Sequence, residues 1–162
     1  MSMCIPAFHV SDASKVDGGG DVFIASRKSG TTTSGNFSVK VAAKFDPAVD
    51  LYPTGPLTIK VDLTDGVKGT FTATSIELIN SYGRVNPTVY LTGRCNGRLS
   101  GAGAETAKGL RYWLLIADNR REGDHQGTPD VVGFAIHDRN GARIAYGTGP
   151  LKEPGDFIVM PK

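Results

Sequence analysis

Between two apolar runs, Leu110 to Ala117 and Val131 to Ile136, the chain carries Asp118-Asn119-Arg120-Arg121-Glu122-Gly123-Asp124-His125-Gln126-Gly127-Thr128-Pro129-Asp130. No other stretch concentrates possible chemistry so tightly. Asp118, Asn119, Glu122, Asp124 and Asp130 offer carboxylate and amide oxygens on one irregular loop. That is the ligand type calcium takes, about six to eight oxygens at roughly 2.3–2.6 Å. The spacing differs from an EF-hand, which needs acidic or amide groups at alternate positions, a central glycine and a closing glutamate. Arg120 and Arg121 would also have to point away. The alternative is a solvated hairpin tip whose Asp and Asn side chains cap their own backbone turns.

Other chemistries find less support. His9, His125 and His137 share no local spacing, whereas zinc needs converging imidazoles or thiolates. His125 and His137 fall at opposite ends of one expected strand, which disfavours a joint site. Nucleophilic catalysis requires Ser or Cys beside a base and an orienting acid, and no Gly-x-Ser-x-Gly elbow exists. Glu122 and Asp124 could serve as an acid–base pair on a sugar or ester. Neighbouring water-exposed loop carboxylates, however, lack the separated pKa values that such work requires. The loop therefore argues against catalysis more than for it. An interior cavity lined by Trp113, Tyr112, Tyr146 and His137 would instead bind a hydrophobic small molecule. A small β-barrel enzyme of cyclase, isomerase or hydrolase type could be built that way.

These groups must be held by strands. Phe37, Val39, Val41, Ala43 and Phe45 take every second position, and so do Leu57, Ile59, Val61 and Leu63, with polar residues between. Period two with one polar face predicts half-buried antiparallel strands. Phe71 and Ala73 keep odd phase but Ile76 and Leu78 are even, so a bulge or a change of sheet is expected between Thr74 and Ser75. Further strands are expected at Asp21–Arg27, Thr88–Cys95, Arg98–Ala102, Leu110–Ala117, Val131–His137, Ala142–Gly147 and Phe157–Met160. Asp138-Arg139-Asn140-Gly141 reads as a hairpin turn, with Asp65-Gly66 and Asn96-Gly97 as similar turns. Leu110–Ala117 is apolar on both faces apart from Arg111, which predicts a central strand with Trp113 and Leu115 also covered.

The chain has 162 residues, with 40% apolar residues, 21 Gly, 9 Pro and a net charge of +2. This length fits one domain with a sizeable core. Gly and Pro are spread as turn punctuation, which suits about ten short strands in an all-β antiparallel sandwich, or alternatively a closed antiparallel barrel. The mild charge and scattered arginines argue against nucleic acid as a partner. No apolar run approaches the ~20 residues of a membrane-spanning helix. The N-terminus lacks a basic region followed by an apolar core, so either the protein is cytoplasmic or a leader has been removed. Cys4 and Cys95 both fall in phase with apolar neighbours. If paired they would close a loop of ~90 residues, worth about 4–5 kcal/mol by chain entropy. Otherwise they are two small buried hydrophobes.

The order of these pieces resembles the post-COAP-1 type domain, a bacterial β-sandwich module found mostly in secreted or surface multidomain proteins. The resemblance starts at Gly18-Gly19-Gly20-Asp21-Val22-Phe23-Ile24 and continues through Gly35–Val41, Leu57–Val61 and Val89–Gly97. It is best from Tyr112 to Asp130, where an apolar strand ends in Asp118-Asn119, passes Glu122-Gly123 and re-enters a strand after Asp130. It spans residues 18 to 160. Departures are the inserted Lys44–Pro56 segment, the Gln126–Pro129 extension and residues 1–17, which have no counterpart. The resemblance implies residues 1–17 as an extension and 18–162 as one all-β domain, with an extracellular or cell-surface setting. It transfers no catalytic residues. Together these readings lead to the expectation of a non-catalytic binding or structural module, with calcium as its candidate stabilising ion. Its partner would be a carbohydrate, another protein or a surface polymer.

Overall fold

The computed structural model describes residues 14–24, 35–63, 68–82, 87–100, 106–119, 128–152 and 155–161. They form ten strands: β1 (Ser14–Ile24), β2 (Gly35–Phe45), β3 (Leu57–Leu63), β4 (Lys68–Ala73), β5 (Leu78–Tyr82), β6 (Thr88–Ser100), β7 (Thr106–Ala117), β8 (Val131–His137), β9 (Arg143–Pro150) and β10 (Asp156–Pro161). The described residues contain no helix. One antiparallel sheet runs in the order β10-β1-β2-β3-β4-β6-β7-β8-β9, with β5 also paired to β6, and curls into a half-barrel.

Alternation decides which face is inside. In β2, Phe37, Val39, Val41 and Ala43 are buried while Asn36, Lys40, Ala42 and Lys44 are exposed. Leu57, Ile59 and Val61 of β3, Leu110, Tyr112, Leu114 and Ile116 of β7, and Val132, Phe134 and Ile136 of β8 join the same core. Because the sheet curls, β2 and β8 meet across the interior. Phe37 and Phe134 touch edge to face, with ring centroids 4.7 Å apart, a favoured aromatic geometry.

The phase slip after Ala73 is a strand break rather than a change of sheet. β4 pairs with Cys95–Ser100 and β5 with Thr88–Thr92, end to end along the same strand β6. Between them, the Thr74 and Ser75 N–H groups both donate to the Arg94 carbonyl, and the buried Tyr112 hydroxyl donates to the Ser75 carbonyl at 2.9 Å. Gly93 lies beneath this crossing, where an added Cβ would stand 2.1 Å from the Ser75 oxygen.

Asn96-Gly97 differs from the expected hairpin turn. β6 continues through it with a register shift between Cys95 and Gly97. The Asn96 side chain accepts the Gly109 N–H at 3.1 Å, and this bond supports the bulge. Asp138–Ala142 does form the turn expected from its sequence. The Asp138 carboxylate accepts the Asn140 and Ala142 N–H groups at 2.8 and 2.9 Å. Strand β1 starts at Ser14, ahead of the expected domain start at Gly18, and carries Val16 into the core.

The second face of β7 also departs from expectation. β7 is central, between β6 and β8, but Trp113 and Leu115 on its outer side are 37% and 43% exposed.

Candidate carboxylate site

The stems of the acidic loop come together where β10 lies against the end of the half-barrel. Asp118 follows the last residue of β7, and Asp130 precedes the first of β8. The Asn119 N–H donates to Asp130 Oδ1 at 2.8 Å, and the Asn119 amide donates to the Pro129 carbonyl at 3.0 Å. These two bonds join the loop's ends. Asp130 is 2% exposed, and its other oxygen accepts the Phe157 N–H of β10 at 3.0 Å. Asp118 Oδ2 accepts the Val159 N–H at 3.1 Å.

β10 is an edge strand, paired on one side with β1. Its outward N–H groups at Phe157 and Val159 would template pairing with another chain if left open. The two carboxylates take them instead. The β9–β10 connection follows the same scheme. Leu151 donates to the Asp130 carbonyl and Lys152 to the Asp21 carbonyl, each at 2.8 Å. Gly18 accommodates the approach at φ 140°, where a Cβ would meet the Asp156 carbonyl at 2.1 Å.

A third carboxyl completes the group. Asp156, the first residue of β10, brings an oxygen within 4.8 Å of oxygens of Asp118 and Asp130. Burial, above all, pushes its pKa up to about 6. A hydrogen bond to Asp130 and the Asp130 and Asp118 charges add to this, and the Phe157 N–H works the other way. Asp118 is raised by burial, then by the Asp130 charge, against the Val159 N–H that favours its ionised form. Among the described residues no cationic side chain contributes to either shift.

Three carboxyls therefore crowd together, and their charge can be relieved in two ways. Asp156 can keep a proton and donate it to Asp130, or a hard cation can take the oxygens. Asp118 Oδ1 bears on the choice, because it is buried and has no hydrogen-bond partner among the described residues. Such an atom carries a desolvation cost that coordination would offset. Carboxylate oxygens that already accept an N–H keep a second lone-pair direction. The donor set thus fits an oxygen-seeking cation such as calcium.

The structure places the expected site residues in several different environments. Asp118, Asn119 and Asp130 meet at the loop stems, Asn119 as a staple. Glu122 and Asp124 lie outside the described residues, as does Cys4. Tyr112 is wholly buried in the core, whereas Trp113 lies on the opposite, outer face. Tyr146 shares that outer face, with the Arg143 guanidinium 3.8 Å above its ring. His137 is half-buried at the end of β8, in register with Arg111 and Arg143. Cys95 is a free, buried thiol whose pKa burial raises to about 11.

Sequence reasoning missed Asp156. The only signal was a lone carboxylate at the head of the apolar Phe157–Val159 run, far along the chain from the loop. Two open clefts lie elsewhere among the described residues, one of about 740 Å³ along β1–β3 and one of about 560 Å³ along β1–β4 and β6. Neither is lined by Asp118, Asp130 or Asp156. Comparison of the chain with protein-family models, with characterised proteins and with solved structures finds no match.

Proposed function

We propose that the protein is a non-catalytic binding or structural module of post-COAP-1 type, belonging to a secreted or surface bacterial protein. In it a calcium ion joins Asp118, Asp130 and Asp156. The two walls of the half-barrel act as the layers of a sandwich, and the ion ties the β7–β8 stems to β10, where those walls meet. The observation that carries this reading is the buried Asp118 Oδ1, without a hydrogen-bond partner among the described residues, beside the two other carboxyls. Asp118 and Asp130 also each give an oxygen to a β10 N–H, which suits a scaffold role rather than acid–base work on a substrate.

Thermal melting with calcium and with a chelator tests it. Ligand binding to the native state alone raises the midpoint by mass action. A rise of several degrees that Asp156→Asn removes supports the reading. Equal midpoints in calcium and chelator overturn it.

A further inference from the structure

Strands β6 to β9 set Arg94, Arg111, His137 and Arg143 in one cross-strand row on the outer face. The next row along holds Thr92, Trp113, Ala135 and Tyr146, and the one beyond holds Tyr90, Leu115, Gly133 and Thr148. With strands about 4.8 Å apart, each row runs roughly 14 Å, and the basic and aromatic rows lie about 7 Å from each other. Like charges directly opposite on neighbouring strands repel. Here one acid offsets two of the arginines: Glu77 meets Arg111 at 2.8 Å and Arg94 at 3.7 Å. Arg143 lies against the Tyr146 ring instead. The row therefore keeps a positive surplus that an external anion would relieve.

In the aromatic row Trp113 is exposed. Trp113 stands beside Tyr90, with ring centroids 5.7 Å apart and planes tilted by 43°. Gly133 leaves the strip low between Leu115 and Thr148. From this juxtaposition we infer that the outer face of β6–β9 binds an acidic polysaccharide. The apolar C–H faces of its pyranose rings stack on Trp113 and Tyr90, and its carboxylates are held by Arg94, Arg111 and Arg143. Aromatic rings offer the apolar platform, and arginine gives planar, bidentate recognition of carboxylates.

This inference names a ligand for the binding module proposed above and rests on that reading. Single-stranded nucleic acid is the rival occupant. It is disfavoured because the chain's net charge is only +2 and because Arg143 already covers Tyr146, which leaves few free stacking faces.

The test uses the full chain in titration calorimetry with cellouronate oligomers, with neutral cello-oligosaccharides of equal length and with oligo-dT, each with and without calcium. Cellouronate should bind, more weakly as salt rises, and the neutral oligomer should bind much less. Trp113→Ala, at a partly exposed position, should weaken binding about tenfold or more. Arg143→Gln should weaken it several-fold. Absence of cellouronate binding overturns the inference, as does binding that neither variant alters or tighter binding of oligo-dT. Glycan binding together with equal melting midpoints in calcium and chelator overturns only the cation reading, and a calcium-raised midpoint without glycan binding overturns only this one.

Discussion

Asp130 Oδ2 accepts the backbone N–H of Phe157 at 3.0 Å, across 27 residues of chain, while Oδ1 of the same carboxylate holds the Asn119 N–H at 2.8 Å. One buried side chain thus joins the loop closure to the edge strand β10. Hydrogen bonds to a charged acceptor contribute more than neutral ones, and a buried N–H stripped of its acceptor bears a desolvation cost. Asp130→Ala should therefore cost about 2–4 kcal/mol in urea unfolding. Asp118→Ala should cost less, because Asp118 accepts one backbone N–H against two for Asp130 and is only half-buried. A loss below about 0.5 kcal/mol for Asp130→Ala would contradict the clasp.

The acid cluster makes stability depend on pH in the metal-free protein. Asp156 has its folded pKa raised to about 6 from 3.8, and Asp118 is shifted in the same direction. A raised carboxyl favours the folded state when protonated. Its contribution is complete below the unfolded pKa and is lost as pH rises through the folded one. In chelator the melting midpoint should include a component from this cluster that falls between pH 4 and pH 7. Asp156→Asn, which cannot ionise, should remove that component and raise the midpoint at pH 7.5. If the pH profiles of the two proteins superimpose, the raised pKa has no bearing on stability.

Cys95 should resist alkylation in the folded protein, because it is buried and its thiol is raised to about 11 while the thiolate is the reactive form. Peptide mapping after iodoacetamide at pH 8 should find Cys95 unmodified in buffer and modified in urea. Recovery of Cys95 in a disulfide would contradict its assignment as a free core thiol.

The β4–β5 crossing depends on Gly93, where a methyl group would meet the Ser75 carbonyl at 2.1 Å. Gly93→Ala should destabilise by about 1–3 kcal/mol, the usual range for overpacking. Gly133→Ala, whose nearest neighbour is the Thr148 hydroxyl at 3.2 Å, should cost less. Equal midpoints in urea for the two variants would show that the crossing has room to relax.

Much of this architecture was legible in the residues because a half-buried strand writes its burial with period two. The buried and exposed positions of β2, β3 and β8 follow that alternation. Legibility failed where tertiary pairing decides. Asn96-Gly97 has the composition of a tight turn, yet β6 runs on through it because β4 and β7 flank the strand on both sides. Trp113 and Leu115 look like core residues, but local pattern cannot show whether a second layer covers the far face of a sheet. The carboxylate site was half legible. Asp118 and Asp130 stood out at the ends of one loop, whereas Asp156 joins them only because the curl of the sheet brings β10 back to those ends.

The central claim, that a cation joins Asp118, Asp130 and Asp156, is tested most directly by melting the wild-type protein and Asp156→Asn at pH 7.5 in calcium and in chelator. Calcium should raise the wild-type midpoint by several degrees and leave that of Asp156→Asn unchanged. A wild-type midpoint that is the same in calcium and in chelator would contradict it and leave Asp118 and Asp130 as a clasp on the β10 N–H groups alone.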